Sequence, residues 1–257
     1  MLLAAFLPLI AAASAPPTLE QTKLAVCVEQ ASKDPTTAIV TASGWLGEAA
    51  GPDRALPQQC LGIADTLLQR WKQAEDAFLT GRGFAAENDY GLRARLAAMA
   101  GNAALADGRA EAGLADLDLA LADAKAAGDT QIAGGIQLDR SRALVALGRL
   151  DDAGAALAEA RNDTPKDSET WLLSATLARR MKNLAQAQEW IEAAAKLAPQ
   201  DPRIGLEAGV IAELDGRDEA ARKSWQSVVG LSPDTPEAKT AKSYLDQIGP
   251  AAQDGGK

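Results

Sequence analysis

Few residues in this 257-residue sequence are equipped to make or break bonds. There is no histidine, so Ser-His-Asp and Cys-His activation of a nucleophile are excluded, as are His-containing zinc sites. Two cysteines, Cys27 and Cys60, are too few for a four-thiolate site, and no C-x-x-C spacing marks them as a redox pair. Gly81-Arg82-Gly83-Phe84-Ala85-Ala86 imitates a dinucleotide-binding fingerprint. That motif works only between a strand and a helix, where backbone N–H groups face the pyrophosphate; here a helical pattern precedes it, so it reads as a helix end and a connection. The acids Asp116 with Asp118 and Asp151 with Asp152 have the residue types of a carboxylate catalyst or a metal site. They fall on second helices or at helix starts and read as solvated faces. The sequence is therefore that of a non-enzyme with no cofactor and no metal, and a carboxylate-based hydrolase has no motif behind it.

The elements that position these side chains are helical. Hydrophobic residues make up 47% of the chain and aromatics 4%; Ala and Leu dominate over Val and Ile, which favours helix over sheet. Net charge is -9 and the pI about 4.7, a balance that repels phosphate backbones and excludes a nucleic-acid partner. Residues 1–15 form an apolar run ending in Ala13-Ser14-Ala15, the pattern of a cleaved secretory signal peptide of Gram-negative type. Cleavage after Ala15 is expected. It implies a periplasmic or secreted location and leaves no membrane-spanning segment.

Residues 168–199 read as two amphipathic helices. Trp171, Ala175 and Ala178 line one stripe, and Leu184, Ala187, Ile191 and Ala194 the other, with a turn at Lys182-Asn183 and a stop at Pro199. A lone hairpin cannot bury both stripes and needs neighbours of its own kind. Spacing supplies them. Pro165, Pro199 and Pro233 recur every 34 residues, and Ala153, Ala187 and Ala221 keep the same interval. So do Leu157, Ile191 and Trp225, and the turn residues Gly148, Lys182 and Gly216.

In this unit length and its small contact positions the chain resembles the tetratricopeptide repeat (TPR) family. The first-helix positions read Trp171-Ser174-Ala175-Ala178 and then Gly205-Ala208-Gly209-Ala212. Upstream units are longer: Gly62 precedes Ala74 and Phe78 in one hairpin, and Gly101 precedes a turn at Gly108-Arg109 in the next. Residues 24–45 look like a degenerate first hairpin broken at Asp34-Pro35. A last helix opens at Thr235-Pro236 and closes at Gly249-Pro250. The expected fold is all-α: an α-solenoid of stacked helix-turn-helix repeats over residues 18–248, with a C-terminal capping helix and a flexible tail at 249–257.

That resemblance carries further expectations. Cys27 and Cys60 lie in the first helices of successive hairpins, which run side by side. An even count in an exported chain favours a disulfide, with two buried free thiols as the alternative. In TPR arrays first helices line a concave groove, and here they carry Arg93, Arg95, Arg140, Arg142, Arg179, Arg180 and Arg203, while second helices are acidic. Family register points Arg142, Leu172, Thr176, Arg179, Arg180, Leu206 and Val210 into the groove, suited to carboxylates and apolar side chains of a protein segment. The alternative is that these arginines pair with Asp139, Glu169, Glu207 and Glu213. The resemblance implies a scaffold or adaptor binding a protein or peptide, possibly acidic, within a cell-envelope assembly. A second reading is a structural subunit that assembles through an outer face or its terminal helices.

Overall fold

A computed structural model of the protein describes residues 16–248; the expected signal peptide and tail lie outside them. Among the described residues there are thirteen α-helices, one short 3-10 turn and no strand. None of these helices is long and apolar enough to cross a membrane. The fold is all-α, built of helix-turn-helix repeats. The chain packs as two compact units that divide after Phe84.

The first unit holds α1 (Leu19–Lys33), α2 (Pro35–Glu48), α3 (Ala55–Leu67) and α4 (Trp71–Phe84). Thr18 starts α1 with a capping box, exchanging hydrogen bonds with Gln21. Asp34 is the single residue between α1 and α2. It closes one helix and caps the next, accepting from the backbone N–H of Thr36 and Thr37, and Pro35 fits the first helical position, where no N–H is needed. Small side chains form the core: Ala31, Ala38, Ala42 and Ala64 surround a disulfide between Cys27 of α1 and Cys60 of α3, whose Cα atoms are 6.2 Å apart. Phe78 of α4 is buried over Gly62 of α3, where any Cβ would overlap its ring.

The second unit holds α5 (Tyr90–Ala106), α6 (Ala110–Ala127), α7 (Thr130–Ala146), α8 (Leu150–Asp163), α9 (Ser168–Arg180), α10 (Leu184–Leu197), α11 (Pro202–Leu214), α12 (Asp218–Leu231) and α13 (Pro236–Gln247). Aspartates 89, 129, 167 and 201 cap the first helices α5, α7, α9 and α11, each supplying an oxygen to otherwise orphaned N–H groups. Small residues bring paired helices together. A Cβ at Gly101 of α5 or Gly113 of α6 would meet the other glycine's carbonyl oxygen at 2.9 Å, and one at Gly209 of α11 would overlap the Trp225 indole of α12. Ala153, Ala175, Ala187 and Ala221 are fully buried, while the larger Trp171 is half-buried. Ala238 and Ala241 of α13 seat that helix on the last pair, leaving Lys239 and Lys242 exposed, as the end of a stack requires.

One turn geometry recurs in both units. At the hairpin joints Gln69, Gly108, Lys182, Gly148 and Gly216 all have positive φ, between 57° and 75°. The following N–H reaches back to close the preceding helix, as in Asn183 to the Ala178 carbonyl at 2.9 Å and Arg149 to that of Leu144 at 2.9 Å, the Schellman pattern. Lys182 holds this left-handed position without glycine's freedom, at φ 63°. Lys182→Gly is therefore expected to stabilise by about 1 kcal/mol, read as a raised urea midpoint; an unchanged midpoint contradicts it.

Candidate partner-binding face

The first helices of the second unit are joined by one polar chain. Asn102 on α5 donates to Asp139 on α7 at 2.8 Å. Asp139 also accepts from Arg142, one turn along the same helix, and Arg142 donates to Glu169 on α9 at 3.1 Å. Glu169 meets Arg203 on α11 at 2.6 Å, and Arg203 is held by Asp201 at 2.6 Å. Beside this chain Arg179 of α9 grips Glu207 of α11 with two hydrogen bonds, at 2.6 and 3.2 Å. The hydrogen bond to Asp201, with Glu169 adding to it, raises Arg203 above the ordinary guanidinium range. The same bond holds the Asp201 carboxyl below its own.

These pairs are partly exposed, so each contributes about 1 kcal/mol or less. Their geometric effect is larger, because forked arginine contacts fix the register of one first helix on the next. Most first-helix arginines thus already hold carboxylates of the chain. Arg140 binds Asp118 of α6 at 2.8 Å, and Arg93 reaches Asp123 of α6 at 3.5 Å.

Arg180, like Arg95, is an exception. It is exposed and makes no ion pair among the described residues. It stands with Arg142 at the mouth of a pocket of about 180 Å³ between α7, α8 and α9. Ser141 and Val145 of α7, Leu157 of α8, and Leu173, Thr176 and Leu177 of α9 line the remainder. Leu157 and Leu177 are buried, at 2% and 5% exposure, so the depth is apolar and the rim cationic.

The structure therefore brings Arg142, Thr176 and Arg180 together, and engages Arg179 elsewhere. Leu172 does not line the open face: only 6% exposed, it sits one turn before Ala175 on the buried stripe and belongs to the core. Leu206 and Val210 are half-buried and pack against the cluster around Trp225.

Two features escape the sequence reading. Asp116 and Asp123 of α6 are buried, at 7% and 6% exposure, which corrects the solvated reading of the Asp116 cluster. The helical period holds the signal: Gly113, Asp116, Ala120 and Asp123 are three or four residues apart and share the face that α6 turns inward. The second is Arg161 of α8. Its guanidinium lies 4.2 Å from the ring centre of Trp190 and 5.6 Å from that of Trp171, and it donates to the Ser174 hydroxyl at 2.6 Å. Burial lowers its pKa, and the ring faces offset part of that desolvation. Nothing in this face assembles a nucleophile with a base, and among the described residues no three of His, Cys, Asp or Glu converge on a metal-sized space.

Residues 144–208 match the tetratricopeptide repeat family model, and they include Arg180 and most of the pocket. No curated protein matches the chain by sequence. Solved structures do match its fold. The chain is similar to PilW, a widely conserved type IV pilus biogenesis factor, at 15% identity and TM-score 0.71, over 88% of this chain and all of that one. It is similar to pilF of Pseudomonas aeruginosa at 12% identity and TM-score 0.68, over 88% of this chain and 97% of that one. YrrB, a TPR protein with an unusual peptide-binding site, aligns at 17% identity and TM-score 0.55, over 79% of this chain and 97% of that one. At such identities the likeness is one of fold.

Proposed function

We propose that this tetratricopeptide-repeat protein is a non-catalytic scaffold that binds a protein segment on the first-helix face of its second unit. The observation carrying this reading is the apolar pocket with the uncommitted Arg180 at its mouth. A segment presenting an apolar side chain next to a carboxylate matches both features: the side chain displaces water from the pocket, and Arg180 forks onto the acid. The neighbouring arginines are already satisfied by Asp139, Glu169 and Glu207, so the ligand needs one well-placed acid rather than a run of them. A fold shared with PilW, a type IV pilus biogenesis factor, supports a cell-envelope assembly as the setting, and the leader-like residues 1–15 support export to the periplasm or beyond it.

Pull-down from native envelope extract tests this reading. Wild type is compared with Arg180→Glu and with Glu192→Lys, which changes an exposed charge on the second helix α10. Arg180→Glu is expected to reduce retention of the partner by about tenfold or more, the usual effect of losing a central charged anchor, and Glu192→Lys to leave it unchanged. Equal retention by wild type and Arg180→Glu overturns the assignment.

A further inference from the structure

A second recess lies in the first unit. The outer sides of α1 and α2 enclose an apolar groove of about 460 Å³. Val26 and Val40 on its walls are 61% and 69% exposed. Its edge includes Gly44, above which a Cβ would find open space. Glycine is the poorest helix former after proline, and here no side chain of the unit uses the room it leaves. The inner sides of α1 and α2 pack on α3 through the alanine core. The outer sides are where a preceding hairpin would stack, and among the described residues nothing covers Val26 and Val40 there.

Lys23 and Glu48 are the charged residues that line the groove, and Lys23 is already neutralised by Glu20. Glu20 is committed, accepting from Lys23 at 2.9 Å and from the Trp45 indole at 2.7 Å. Glu48 at the other end forms no ion pair among the described residues. It is the last residue of α2, with no basic side chain in that turn to offset the negative end of the helix dipole.

We infer that the α1–α2 groove is a docking site for one short amphipathic helix of a partner protein, with small side chains along its contact line and a basic residue facing Glu48. Nine residues line the groove, whereas a stable dimer interface takes roughly 20–30 a side, so a single helix fits where a second copy does not. Residues 1–15 contain no Lys or Arg and lack the cation that Glu48 calls for.

The test uses the full chain and two labelled, end-capped peptides of about four helical turns. Both carry Ala and Leu on the contact line; one is flanked by lysines and the other by glutamates. Fluorescence anisotropy is expected to show the lysine peptide binding at least about tenfold more tightly than the glutamate peptide. Gly44→Leu fills the groove in open space and improves the helix, so the variant folds; it is expected to weaken the lysine peptide about tenfold. Glu48→Lys reverses the preference between the peptides, and Arg180→Glu changes neither, which separates this site from the pocket on α7–α9. Absence of binding, or binding that Gly44→Leu leaves unchanged, overturns the proposal. Sedimentation as a dimer that Gly44→Leu returns to monomer overturns it as well, in favour of a second copy on this face.

Discussion

Replacing Trp225 with alanine is expected to lower the stability of the C-terminal hairpins by about 3–5 kcal/mol. The indole is 2% exposed, and it fills the space that Gly209 leaves on α11. It also packs on Tyr244 of α13 with ring centres 5.0 Å apart, and its N–H donates to the Leu206 carbonyl at 3.1 Å. Truncation opens a cavity between three helices and removes that hydrogen bond. In a nearest-neighbour stack such damage stays local. Amide protection should therefore fall across α11, α12 and α13 while α1 to α4 keep theirs. A loss of about 0.5 kcal/mol or less, the range of a surface substitution, contradicts the packing described.

Removing the disulfide is the other large expected effect. Cys27 and Cys60 close a loop with a sequence separation of 33, and the chain-entropy model gives about 3–4 kcal/mol for a loop of that size. The bond ties the first hairpin to α3 where the core is otherwise alanine, and alanine buries too little area to hold α1 firmly by itself. Paired Cys27→Ala and Cys60→Ala substitutions should lower the denaturation midpoint of the first unit, and reductant should do the same to wild type but nothing to the variant. Equal midpoints for wild type with and without reductant contradict this role.

The repeat architecture was legible because one physical need recurs at fixed spacing. The hairpin turns from α3 onward call for a left-handed residue, and Gly148, Lys182 and Gly216, at 34-residue intervals, all have positive φ. Departures from that spacing have local causes. Between α1 and α2 the turn shrinks to Asp34 alone, so no glycine announces it. The longer helices α6 and α7 stretch the interval between the turns at Gly108 and Gly148. The binding face was less legible. Which arginine is free depends on partners in other helices, such as Glu169 for Arg142 and Glu207 for Arg179, and periodicity places a residue on a face without naming its partner. Arg179 and Arg180 are adjacent and identical in type, yet one is locked and the other open.

Site-specific photocrosslinking in the native host tests the central functional claim most directly. A photoreactive residue is placed at Thr176 in the α7–α9 pocket or at Glu192 on the outer side of α10. A partner adduct at Thr176 that disappears with Arg180→Glu, and none at Glu192, is the predicted result. An adduct at Glu192 with none at Thr176 would show that the partner sits on the second-helix side, and the account of this pocket would be wrong.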